Sequence, residues 1–148
     1  MKTVLFFQKL IDKIVHLWPF YHQKISDKDQ LGKDGENRAV SFLKSQGYII
    51  VAKNQKFTVG EIDIIAKFQK TLIVVEVKTR RSKEYCHPIE AVHKKKREKI
   101  KQMGLRYYRD KKYSAKGFIV RFDIITILWP DWPENKQPTI EHFVDAFR

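Results

Sequence analysis

The apolar positions of this chain change spacing along its length, and the changes mark out its elements. Phe7, Leu10, Ile11, Ile14, Leu17 and Trp18 recur at helical spacing, opposite Gln8, Lys9, Asp12, Lys13 and His16. They predict an amphipathic helix over residues 1–18, ended by Trp18-Pro19. Ser26 and Asp27 are N-cap candidates for a second helix that reaches about Gln46, with Ala39, Val40, Phe42 and Leu43 inward and Gly47 as its C-cap. Tyr48 to Ala52 reads as a strand. Two β-branched runs follow, Gly60 to Ile65 and Leu72 to Lys78, and both read as buried strands. Pro88 can open a long helix to about Lys112, with Ala91, Ile100, Met103, Leu105 and Tyr107 on its apolar side. Phe118 to Leu128 is a further strand, and Thr139 to Val144 an edge strand. Between them lies the turn-rich link Trp129-Pro130-Asp131-Trp132-Pro133, whose tryptophans are expected to pack beneath it rather than stack on bases.

The order α-β-β-β-α-β predicts an α/β sandwich, a central mixed sheet flanked by helices. The strand after the long helix should return by a right-handed crossover to a parallel neighbour. Residues 1–26 form an extension and 27–148 a single domain; the 148 residues suffice for one sizeable core. The apolar run at Val4–Phe7 is too short for a secretory or membrane-spanning segment, so no integral membrane segment is expected.

Charges interrupt the two strongest strands. Asp63 sits inside the first, and Glu76 and Lys78 inside the second. A buried, unpaired carboxylate costs several kcal/mol, so these acids require a compensating charge or a metal ion. A tight hairpin centred between Gln69 and Lys70 sets Asp63 opposite Glu76, with Cβ atoms roughly 4.5–5.5 Å apart, and puts Lys78 on the same face. In that register Lys78 faces Glu61. A one-residue slip would send Asp63 to the other face. Two readings stay open: a Mg²⁺ or Mn²⁺ site built on Asp63 and Glu76 with Lys78 serving a water or phosphate, or an ordinary Glu61–Lys78 cross-strand ladder.

Charge narrows the partners. The formal net charge of +13 attracts nucleic acid, anionic membrane or an acidic protein. Much of it lies on the long helix, where Lys94, Lys95, Lys96, Arg97, Lys99 and Lys101 form a candidate phosphate path. Asp123, inside the later strand, is assigned structural work such as pairing with Arg121. Cys86 is the only cysteine, so no internal disulfide forms and a reducing cytoplasm is the natural compartment. Neither Cys86 nor its neighbour His87 has an activating constellation. The five histidines show no zinc spacing, and no phosphate-binding glycine loop is present.

The stretch Gly32–Val144 carries Gly32, Gly35-Glu36, Ala39, Phe42-Leu43, Gly47-Tyr48, Asn54, Gly60-Glu61-Ile62-Asp63-Ile64-Ile65-Ala66, Val75-Glu76-Val77-Lys78-Thr79-Arg80, Pro88, Glu90-Ala91-Val92, Lys96 and Arg121-Phe122-Asp123. In order and spacing it resembles the YraN-like family of the restriction-endonuclease-like, or PD-(D/E)XK, superfamily. Ile62 stands where the superfamily's name-giving proline would precede the aspartate. The resemblance implies metal binding by Asp63 and Glu76, chemistry assisted by Lys78, and a fourth acid, Glu36, as in resolvase-type members. It implies phosphodiester hydrolysis on DNA, branched or structured substrates, and a homodimer. Two other readings compete: a non-catalytic DNA- or RNA-binding module on the same fold, and a protein-interaction role for residues 1–18.

Overall fold

A computed structural model describes residues 26–82, 92–134 and 137–148. The predicted helix over 1–18, Pro88, Ala91 and the Cys86-His87 pair lie outside them.

The first described helix, α1 (Asp27–Ser45), starts where its cap chemistry says it should. The Ser26 hydroxyl accepts the Asp29 N–H at 3.2 Å, and Asp27 and Asp29 stand in the first turn, favourable to the helix dipole. Gly47, at φ 83°, reverses the chain after Gln46. Strands β1 (Ile49–Phe57), β2 (Gly60–Phe68) and β3 (Thr71–Arg80) follow, then helix α2 (Lys94–Asp110), β4 (Ile119–Leu128) and β5 (Thr139–Phe143). The five strands lie in chain order across one sheet. β3 and β4 are parallel and the other neighbours antiparallel, so the sheet is mixed as expected. Joining parallel neighbours requires a crossover, and α2 supplies it.

β1 runs past its expected end at Ala52, through Lys53-Asn54-Gln55-Lys56 to Phe57. That run is polar because β1 is an edge strand whose pairing with β2 rests on backbone bonds, and its lysines reach solvent.

Among the described residues, each face of the sheet carries one α-helix. On the α1 side, Leu31, Ala39 and Leu43 pack with Ile64, Ile73, Val75 and Ile125. On the α2 side, Ile100, Met103 and Tyr107 pack with Ile65, Leu72, Val74, Phe122 and Ile124. β3 is covered on both faces, which is why Leu72–Val75 reads as an unbroken apolar run.

The inner stripe of α2 differs from expectation at one position. Leu105 is 43% exposed, and the buried positions are Ile100, Met103, Gly104 and Tyr107. These follow the spacing of a single helical face, which leaves Leu105 on the outside. Gly104 belongs inside because a Cβ there would come within 2.8 Å of the Phe122 ring and 2.9 Å of Val74. The missing side chain lets α2 lie close to the sheet.

Trp129 and Trp132 are buried, as expected for packing beneath the link. Arg38 lies 5.4 Å over Trp129, Arg81 lies 4.9 Å over Trp132, and the Trp132 indole donates to Asp34 at 2.9 Å. Asp123 does structural work. It is fully buried and accepts from Arg121 Nε and Nη2 at 2.8 Å each and from the Asp145 N–H at 2.9 Å, with His142 Nε2 at 2.8 Å. Burial alone would raise its pKa, but the hydrogen bonds from His142, Arg121 and Asp145 outweigh it and hold the carboxyl below its usual range.

Candidate active site

The β2–β3 hairpin sets the site. Its pairs run from Phe68–Thr71 to Ile64–Val75, so the turn is centred between Gln69 and Lys70 as the sequence predicts. The ladder stops at Ile64–Val75. There the Asp63 carboxylate accepts the Val77 N–H at 2.7 Å, taking the place of a strand carbonyl. On the other side of β2, Asn54 falls between the pairs Lys53–Ile64 and Gln55–Ile62 and adopts φ 47°. Ile62 and Ile65 both pack on the α2 side, so the alternation of β2 breaks around Asp63. A regular strand would have carried Asp63 along the ladder; this irregularity frees its carboxylate for other work.

The expected Glu61–Lys78 opposition does not form. β2 and β3 are no longer paired at that level, and Glu61 keeps only its partner on β1, Lys56. Lys78 instead sends its ammonium to Glu76, with Nζ 2.6 Å from Oε1. Lys96, from the first turn of α2, reaches the same oxygen at 3.1 Å. Glu76 is only 2% exposed, and its second oxygen, Oε2, is buried with no hydrogen-bond partner. An unsatisfied buried acceptor costs about 1–3 kcal/mol, and more when charged.

Asp63 carries a penalty of a different kind. Its pKa is pushed up to about 7, first by burial and then by Glu76, with a smaller push from Glu36; the Val77 N–H and Lys96 pull it down. The other two acids named from the sequence, Glu76 and Glu36, therefore both act on Asp63. Glu36 arrives from α1, and its Oε2 accepts from the Asn54 amide at 2.7 Å. Its neighbour Gly35 fixes that approach, since a Cβ on Gly35 would overlap the Thr79 hydroxyl on β3.

The donor set is hard: carboxylate oxygens with no sulfur or imidazole among them. Among the described residues, no group of three or more His, Cys, Asp or Glu gathers as a metal cluster. Mg²⁺ needs less than that, since it is held by one or two carboxylates, several waters and substrate phosphates. A buried carboxylate oxygen without a partner, beside a second acid that resists ionisation, fits such an ion.

The basic residues of α2 divide into two sets. Lys94, Lys95 and Lys99 are exposed. Arg97 donates to the Val92 carbonyl at 3.0 Å, and Lys101 reaches Glu98 at 3.0 Å and the Arg148 carbonyl at 2.9 Å. Lys96 turns inward to Glu76. Sequence reasoning placed Lys96 on the phosphate path and missed its contact with the acid, because nothing local in a lysine run distinguishes the one that faces the sheet. Asn54 is one of the residues that carry the family resemblance, but its contact with Glu36 and its positive φ have no signal in a polar residue of an edge strand.

The model of the uncharacterised protein family UPF0102 matches residues 35–127, the span that includes Glu36, Asp63, Glu76, Lys78 and Lys96. The chain belongs to UPF0102. A UPF0102 protein of Desulfosudis oleivorans is 42% identical over 122 residues, covering 82% of this chain and 95% of the relative. One from Caldicellulosiruptor bescii is 44% identical over 118 residues, covering 80% and 97%. One from Dictyoglomus turgidum is 39% identical over 118 residues, again 80% and 97%. The YraN-like resemblance is thus a family membership. Among the described residues of this UPF0102 chain, no helix is long and apolar enough to cross a membrane.

Proposed function

We propose that this UPF0102 protein is a metal-dependent nuclease of restriction-endonuclease-like fold that hydrolyses phosphodiester bonds in DNA, with branched or structured DNA the first substrates to test. The observation that carries the reading is Glu76 Oε2, a buried carboxylate oxygen with no partner, next to Asp63. Asp63 and Glu76 would hold Mg²⁺ or Mn²⁺. That ion, when bound, supplies a more acidic water and neutralises charge building on the phosphate. Lys78, on the same strand and face as Glu76, would hold the attacking water with its ammonium, or take that water's proton only after first losing its own. Glu36 positions that water from the α1 side, steadied by Asn54. The exposed Lys94, Lys95 and Lys99 take flanking phosphates, which positions the nucleic acid without reading its sequence.

Lys78→Ala tests the chemistry. It should abolish Mg²⁺- or Mn²⁺-dependent cleavage and leave DNA binding within about a few-fold of the parent, since one phosphate-facing charge is a small part of such an interface. A variant that cuts as fast as the parent would refute the assignment. DNA or RNA binding without cleavage, insensitive to divalent ions and to loss of Asp63 or Glu76, would assign the surface to a non-catalytic module.

A further inference from the structure

Two ammonium groups meet one oxygen of Glu76, and they come from different elements. Lys78 lies two residues along the same strand, with Nζ 2.6 Å from Oε1. Lys96 crosses from α2, with Nζ 3.1 Å from the same atom, while its side chain stays 36% exposed. The backbone of Lys96 is fixed: its N–H donates to His93 Nδ1 at 3.2 Å, in the first turn of the helix. Only the flexible side chain is left to move. On that turn and the next stand the exposed Lys94, Lys95 and Lys99. Lys96 is therefore the inner member of a row of cations that otherwise faces solvent. It is also half of the positive charge that balances Glu76 at this oxygen.

We propose that Lys96 is a cation-released phosphate ligand. With the acids empty, its ammonium occupies Glu76. When a divalent cation binds Asp63 and Glu76, the two positive charges repel, and Lys96 turns outward to a nucleic-acid phosphate beside Lys95 and Lys99. The inference rests on the metal reading of Asp63 and Glu76, and adds to it a coupling between metal occupancy and DNA affinity. By linkage the coupling is mutual: metal raises DNA affinity by the same factor that DNA raises metal affinity.

Calorimetry with Mn²⁺ reads the first half. Removing a competing positive charge should tighten Mn²⁺ binding by about tenfold in Lys96→Met, from the Coulomb energy of like charges at a partly buried site. Lys99→Met, the same charge removed from an exposed position of α2, should change it by less than about twofold, because solvent screens it. The salt dependence of binding to a non-cleavable branched DNA reads the second half. The parent should gain about one phosphate contact in the slope when Mn²⁺ is added. Lys96→Met should show no such gain, and Lys96→Arg, which keeps the charge, should restore it. Mn²⁺ binding that depends on the acids but is no tighter in Lys96→Met, with the slope gain intact, would overturn the role of Lys96 alone. No Mn²⁺ binding by the parent or any variant would overturn both the role and the metal reading.

Discussion

Asp63 makes the metal-free protein less stable than its fold permits, and the size of that penalty follows from its surroundings. Its pKa rises from 3.8 to about 7 on folding, because burial and the neighbouring Glu76 disfavour the second charge. Below pH 3.8 the carboxyl is protonated in both the folded and unfolded chain, and there is no penalty. Between 3.8 and about 7 the folded protein keeps a proton that the unfolded chain has released, so stability falls as pH rises. Above that window the loss is complete and constant. At about 1.4 kcal/mol per unit, the ceiling is about 4 kcal/mol. Asp63→Asn removes the titration while its amide oxygen can still accept the Val77 N–H. The variant should therefore exceed the parent by about 1–2 kcal/mol at pH 5 and about 3–4 kcal/mol at pH 8. Urea unfolding followed by tryptophan fluorescence, with a chelator present, measures both gaps. A gap that does not widen with pH, or a variant less stable than the parent at pH 8, would refute the electrostatic account of this site.

Two further substitutions test the frame around the site. Asp123→Asn leaves Arg121 and His142 facing a neutral amide in a buried network and should cost about 3–5 kcal/mol in chemical denaturation; a loss under 1 kcal/mol would show that the network does not matter. In the parent, the depressed pKa of Asp123 makes its contribution present at neutral pH and lost as pH falls through its folded value, below the usual carboxylate range. Gly104→Ala gains helix propensity of about 1 kcal/mol but drives a methyl into Phe122 and Val74, so it should destabilise by about 1–2 kcal/mol net. A more stable variant would mean that α2 can shift away from the sheet at no cost.

Much of this was legible in the sequence, and the reasons are local. The β-branched runs, the Ser26 cap and the Gly47 stop place α1, β2 and β3 without tertiary information. The short polar stretch at Gln69-Lys70 locates the turn, but its register is an assumption in the sequence, since no Asn-Gly or Asp-Gly pair fixes it; the pairs from Phe68–Thr71 to Ile64–Val75 have the register assumed. What the sequence could not show is where the ladder ends. The loss of the Glu61–Lys78 pair depends on Asp63 capturing the Val77 N–H, a side-chain-to-backbone choice that no spacing rule encodes. The inward turn of Lys96 depends on how α2 crosses the sheet, and Gly104, which sets that crossing, looks in the sequence like any helix glycine. Leu105 was placed inside by hydrophobicity alone, whereas the packed stripe admits a glycine in preference to the leucine beside it.

The central claim is that Asp63 and Glu76 hold a divalent cation. The most direct test is titration calorimetry of Mg²⁺ and Mn²⁺ into the full chain, parent against the double variant Asp63→Asn with Glu76→Gln, with and without a non-cleavable branched DNA. The account predicts binding by the parent, tighter with DNA present, and none by the double variant. Equal heats from both proteins, or no binding by the parent even beside DNA, would contradict it.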